Sequence, residues 1–193
     1  MKKILILLIS LSISQFSISQ NKKSKEVKSD LDKINFAGLK FRSVGPALTA
    51  GRIADIDVNK NNSKIYYVAV ASGGLWKTQN SGNTFEPIFD NEGSYSIGCV
   101  KIDPNNEHTI WVGTGENNNQ RSVAYGDGVY RSLDDGKTWK NMGLKNSEHI
   151  SKIFVKSDDP NTIFVASQGP LWSSGGERGL YKSINGGDDW KLV

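Results

Sequence analysis

Cysteine is almost missing. Cys99 alone in 193 residues excludes an internal disulfide, so any exported form must be stable without one. Its setting, SIGCVKI, alternates apolar and small residues, which suits a buried side chain better than a reactive thiol. Histidine is nearly as scarce: His108 and His149 stand isolated, with no partners at zinc-ligand spacing, and no metal or cofactor is expected. There is no Gly-x-Ser-x-Gly elbow and no phosphate-binding glycine loop. No sustained 3.6-residue period of apolar positions occurs, which excludes a helical repeat. Basic charge is absent where a nucleic acid would need it. Residues 1–33 hold seven Lys and three acids, whereas the seventeen basic residues from Ile34 onward face seventeen acids. The +4 net charge therefore belongs to the N-terminus, and no nucleic-acid partner is expected.

What is present begins with MKKILILLISLSISQFSISQ: two lysines, an apolar run from Ile4 to Ile13, then small and polar residues. That layout reads as a secretory signal peptide over 1–19, too short for a comfortable membrane span, and predicts a secreted, periplasmic or cell-surface protein. A Lys/Ser-rich leader follows over 20–39.

The remainder repeats itself. GGLWKTQNSGNTFEPIF from Gly73, DGVYRSLDDGKTWKNMG from Asp127 and RGLYKSINGGDDWKLV from Arg178 share one pattern: Gly, apolar, aromatic, basic, Ser/Thr, then a turn that ends on an aromatic. Their Ser/Thr positions, Thr78, Ser132 and Ser183, lie 54 and 51 residues apart. Before each copy, turn residues lead into β-branched and aromatic runs, and before those lie RIADIDV, SIGCVKI and ISKIFVK. Each repeat thus offers four short strands in about 50 residues, the size of one β-propeller blade. The reading is all-β: a propeller over 40–193 with four-stranded antiparallel blades at about 52–89, 97–142 and 149–193. The strands fall at 52–58, 64–71, 74–79 and 84–89, then 97–103, 109–115, 128–133 and 138–142, then 149–156, 162–167, 179–184 and 189–193.

TQNSGNTF, SLDDGKTW and SINGGDDW resemble Asp-box (BNR) repeats, Ser/Thr-x-Asp-x-Gly-x-Thr-Trp. The resemblance implies structural roles for Thr78, Asn80, Gly82 and Phe85, for Ser132, Asp134, Gly136 and Trp139, and for Ser183, Asn185, Gly187 and Trp190. A side-chain oxygen can cap the turn's own N–H groups, glycine can take a positive φ, and the aromatic can pack between sheets. A calcium loop would need alternating oxygen ligands and a distal Glu that are missing here. The lead-in FRSVGPALTAGRIADIDV, with KIYYVAVASGGLWKTQNSGNTF, is similar to exported bacterial propellers grouped with the sortilin-type N-terminal propeller and the xyloglucanase-type glycosidases. In the latter the second strand of the first blade leads into Thr-Asp-x-Gly-Gly with a catalytic Asp; here VASGG puts Ala71 at that position, which counts against the same mechanism.

In an up-and-down blade the 1–2 and 3–4 loops emerge on one face, and the 2–3 loops and 4–1 connections on the other. The Asp-box turns therefore lie away from the long 2–3 loops GTGENNNQRSVAYGDG and SQGPLWSSGGERG. These supply the ligand candidates Glu116, Asn118, Arg121, Tyr125, Gln168, Trp172 and Arg178. Glycoside hydrolysis needs two carboxylates, and Glu116, Asp127 and Glu177 are read as the only acids on that face, with nothing fixing a pair. The partner expected is a polypeptide or glycan, bound by a module without a complete active site. The competing expectation is a glycoside hydrolase of the xyloglucanase or sialidase-like propeller type with catalytic residues partly in further blades, and a third is an assembly factor for membrane complexes. Three blades do not close a ring, so an incomplete propeller is expected, finished by further blades of a longer chain or by further copies.

Overall fold

The computed structural model describes residues 51–118 and 123–193. The signal-peptide and leader readings over 1–39, and the candidate Arg121, lie outside the described residues.

Twelve strands form three four-stranded antiparallel sheets, each a meander in chain order. The first contains β1 (Ile53–Val58), β2 (Tyr66–Val70), β3 (Gly74–Thr78) and β4 (Glu86–Pro87). The second contains β5 (Ile97–Asp103), β6 (Asn106–Thr114), β7 (Val129–Ser132) and β8 (Lys140–Asn141), and the third β9 (Ile150–Lys156), β10 (Asp159–Ser167), β11 (Gly179–Ser183) and β12 (Lys191–Leu192). The described residues are thus all-β and form three propeller blades, an incomplete propeller.

Two departures from the sequence expectation have local causes. The fourth strands are only two residues long, because residues before them are used in closing the turn: the Thr84 N–H bonds to Asn80 Oδ1 at 2.9 Å instead of entering the ladder. The second strands β6 and β10 start three residues early, because Asn106 pairs with Asp103 and Asp159 with Lys156 across their hairpins.

The turns repeat atom for atom. Ser132 Oγ accepts the Gly136 N–H at 2.8 Å, and Asp134 Oδ1 accepts the Thr138 N–H at 2.9 Å. Thr78 with Asn80, and Ser183 with Asn185, make the same pair of bonds to Gly82 and Thr84, and to Gly187 and Asp189. At the crest Asp135 and Gly136 both take positive φ, 63° and 85°. Each crest is tied to the adjacent 1–2 hairpin of its own sheet, as where the Asp135 N–H bonds to His108 O at 3.0 Å. The turns and those hairpins thus share one face of the molecule.

Two apolar layers lie between the three sheets. Tyr67, Ala69, Leu75 and Phe89 of the first sheet meet Val100, Ile102, Ile110, Val112 and Tyr130 of the second. Trp111, Val129 and Met142 of the second meet Ile150, Ile153, Val155, Ile163 and Val165 of the third. Burial of these side chains, roughly 1.5–3 kcal/mol each, is the main term holding sheet to sheet. Polar latches run along the same borders. The Trp139 indole N–H donates to Ile88 O, and that of Trp190 to Met142 O, both at 2.7 Å. In the other direction Lys77 donates to Asp135 O at 3.3 Å and Arg131 to Gly186 O at 2.6 Å. Each cation also lies over its cross-strand aromatic ring, Lys77 over Tyr67 and Arg131 over Trp111. This explains the basic position of the repeat, which the sequence displays without stating its purpose.

The first strands of the three sheets also interlock. Asp55 on β1 accepts the Val100 N–H of β5 at 3.3 Å and the Lys152 ammonium of β9 at 3.0 Å, while Asp57 takes the Ile102 N–H at 2.7 Å and Lys101 at 2.8 Å. Burial works against the charge of Lys152, yet the hydrogen bond and charge of Asp55, together with the charges of Cys99 and Asp57, outweigh it and hold the pKa above the ordinary lysine value. Cys99 is buried beside this network, and burial pushes its thiol up to about 12.

Candidate ligand-binding face

The face opposite the turns is built from the 2–3 loops and the 4–1 connections. The loop from Gly115 to Gly128 is pinched at its neck by the buried Thr114 hydroxyl, which accepts the Asp127 and Gly128 N–H groups at 2.9 and 3.0 Å and donates to Gly128 O at 2.7 Å. Above the neck, the Asp127 carboxylate accepts the Tyr130 hydroxyl at 2.6 Å. A Cβ on Gly93 would stand 3.1 Å from that hydroxyl and against Asp127 Oδ2; glycine there lets the connection carrying Glu92 lie close over the pair. Burial, followed by the charge of Asp127, raises the pKa of Glu92 above the usual carboxylate value. The same two causes, with the bond to Asp127 between them, raise that of Tyr130.

Glu92 is a residue that sequence reasoning missed. The expectation of only three acids on this face is corrected: Asp90 and Glu92 lie on the connection from β4 to β5, and Glu148 on that from β8 to β9. The alternation that sends 2–3 loops to this face sends the 4–1 connections there too. That alternation is legible in the sequence.

Several candidates prove to be occupied within the fold. Glu116 is 2% exposed, and its carboxylate is paired with the Arg52 guanidinium. It joins the start of the first blade to the second instead of facing solvent. Glu177 accepts the Asn146 N–H at 2.7 Å, and Arg178 donates to the carbonyls of Pro170 and Ser173, so both close their own surroundings. Gln168 donates to Asn117 O at 3.1 Å and so links the loops of the second and third blades. Each uses polar capacity that would otherwise be unsatisfied in a partly buried loop.

Others remain presented. Tyr125 is 58% exposed, with its ring 5.5 Å from the ring of the buried His149, and Trp172 is 54% exposed at the tip of its loop. Burial lowers the His149 pKa against the opposing charge of Glu148. Asn118 is also exposed. Ala71 is buried, with its carbonyl accepting the Ser96 hydroxyl at 2.6 Å, and offers no carboxylate. Among the described residues no group of three or more His, Cys, Asp or Glu side chains could hold a metal ion. The face therefore carries the half-buried carboxylates of Glu92 and Asp127, the second bonded to the Tyr130 phenol, and elsewhere on it the exposed rings of Tyr125 and Trp172. Such a set accepts hydrogen bonds from hydroxyl or amide donors and stacks on apolar faces.

The arrangement of these sheets is that of a β-propeller, and solved structures bear this out. No protein-family model and no curated protein sequence matches the chain. An ancestral GH74 enzyme is similar with a TM-score of 0.59 at 22% identity, over 77% of this chain and 19% of that one. The GH74 xyloglucanase from Xanthomonas campestris is similar at 0.54 and 16% identity, over 78% of this chain and 21% of that one. YCF48 bound to D1 peptide is similar at 0.50 and 14% identity, over 77% and 42%. The chain thus spans about a fifth of the length of the GH74 enzymes it resembles.

Proposed function

We propose that this chain is an exported segment of an Asp-box β-propeller of the sortilin N-terminal-like kind, directed to the secreted, periplasmic or cell-surface space by residues 1–19. It binds a polypeptide or glycan on the face opposite the Asp-box turns. The carrying observation is that face's chemistry: the exposed rings of Tyr125 and Trp172 on its long loops, and the half-buried carboxylates of Glu92 and Asp127. Rings of this exposure are the usual anchors of peptide and sugar ligands, and the acids supply direction. The peptide complex of YCF48 is an instance of a propeller holding a polypeptide. Screening against immobilised glycans and peptides tests the proposal. Trp172→Ala and Tyr125→Ala each weaken the ligand found by about tenfold or more, in line with one lost aromatic anchor. Lys137→Ala, on the exposed turn face, leaves it unchanged. Equal binding by all three variants sinks the assignment of the face.

A second reading, glycoside hydrolysis, is favoured by one observation: Glu92 is biased toward its protonated form beside Asp127, as an acid and its companion carboxylate would be. The GH74 neighbours agree with it in fold. Release of reducing ends that disappears in both Glu92→Gln and Asp127→Asn would establish hydrolysis. Binding without release leaves the binding module.

A further inference from the structure

The two outward faces of the three-sheet array are counterparts of faces that already pair within it. By strand register, Ile56, Val68 and Trp76 on the first sheet stand where Val100, Val112 and Tyr130 stand on the second. The latter three are buried against the preceding sheet, whereas Ile56 is 47% exposed at the edge of an apolar groove of about 550 Å³ that also takes in Ile53, Tyr66 and Phe85. On the third sheet, Leu180 and Lys182 stand where Val129 and Arg131 stand on the second. Val129 is fully buried, whereas Leu180 is 46% exposed, and Phe154, in the row of Phe164 and Lys182, is 57% exposed. Among the described residues nothing covers either face.

The polar latch has the same unfinished form. Lys77 and Arg131 each lie over an aromatic ring and donate to the crest carbonyl of the following sheet, Asp135 O and Gly186 O. Lys182 lies over Phe164 in the same way, 5.5 Å from its centroid. The matching crest position in the first sheet is Ser81, whose φ of 61° is close to the 63° and 73° of Asp135 and Gly186.

We propose that the outer face of the third sheet docks the first sheet of a second copy of this chain, head to tail, with Lys182 donating to the Ser81 carbonyl of that copy. The chain carries both halves of the contact in the register its internal borders use, so the junction continues an interface already present. Because the two halves are different surfaces, the contact is heterologous and joins copies in a ring or a row.

The test uses the 193-residue chain and light scattering after size-exclusion chromatography. Wild type self-associates as its concentration is raised through the micromolar range. Ile56→Lys blocks one half of the contact and Leu180→Glu the other. Both positions are exposed, so both variants keep the circular dichroism spectrum of wild type. Each alone is monomeric, while an equimolar mixture gives a one-to-one dimer through the intact halves. Lys182→Met, which keeps the apolar stem, weakens association about tenfold, the loss of one charged hydrogen bond. Three results overturn the proposal: a wild type that stays monomeric at high micromolar concentration, single variants that associate like wild type, or a mixture that forms no dimer. Unchanged association of Lys182→Met overturns the latch.

Discussion

At the residue scale, the turn SLDDGKTW separates two carboxylates that look alike in the sequence. Asp134 faces inward along its own turn, while Asp135 turns to His108 at 2.9 Å and toward Lys77. The hydroxyl and then the N–H of Thr138 hold the Asp134 pKa down to about 2. Since this folded value lies below the ordinary one, the ionised form stabilises the turn above about pH 4, and that contribution is lost as pH falls toward 2. In a carbon-13 titration Thr138→Ala moves the Asp134 midpoint upward, part of the way to the ordinary value; an unmoved midpoint refutes the cause given. Gly136 is held by two constraints, a φ of 85° and a virtual Cβ only 2.6 Å from Ile88 Cδ1 of the preceding sheet. Gly136→Ala therefore costs about 2–3 kcal/mol in urea unfolding, part backbone strain and part overpacking. Gly175, with a φ of 94° and nothing within 4 Å of its virtual Cβ, isolates the first part, and Gly175→Ala costs about 1 kcal/mol. Equal losses at the two positions would remove the packing argument.

At the element scale, the borders between sheets depend on the last residue of each turn. Trp139→Phe keeps the ring but deletes the donor to Ile88 O, leaving that carbonyl without its indole partner, and lowers stability by about 1–2 kcal/mol in a thermal melt. Phe85, which occupies the corresponding place in the first sheet, stacks edge-on against Tyr66 of its own sheet, with ring centroids 6.0 Å apart. The number and order of strands were legible in the sequence because three copies of one turn fix the phase of everything between them. Strand ends were less so: whether Thr84 joins a ladder or caps a turn is decided by where one side-chain oxygen points. The ligand face was half legible. Tyr125 and Trp172 stand out on long loops, but the pairing of Arg52 with Glu116 depends on two distant segments meeting, and no local pattern announces it.

At the scale of the whole molecule, Asp55 touches all three sheets through one carboxylate. Its two partners are not equal. Val100 offers a buried backbone N–H, whereas the side chain of Lys152 is 62% exposed, so the ion pair is screened by solvent. Asp55→Ala is expected to cost about 2 kcal/mol in urea unfolding by orphaning the amide, and Lys152→Met less than about 0.5 kcal/mol. If the lysine variant proved the worse of the two, the charge and not the amide would be the tie. The cationic latches between sheets follow a related rule, for Lys77 and Arg131 both end on a main-chain oxygen. A carbonyl is offered by any residue, so what this bond recognises in the next sheet is a bend of the backbone, to which the Asp135 carboxylate adds an ion pair with Lys77 at 3.8 Å that Gly186 has no side chain to match. Ser81, Asp135 and Gly186 can differ as long as the side-chain oxygens one residue earlier in each loop, those of Asn80, Asp134 and Asn185, keep the bend in shape. The joint is read by form, and the spelling of the crest is left open to change.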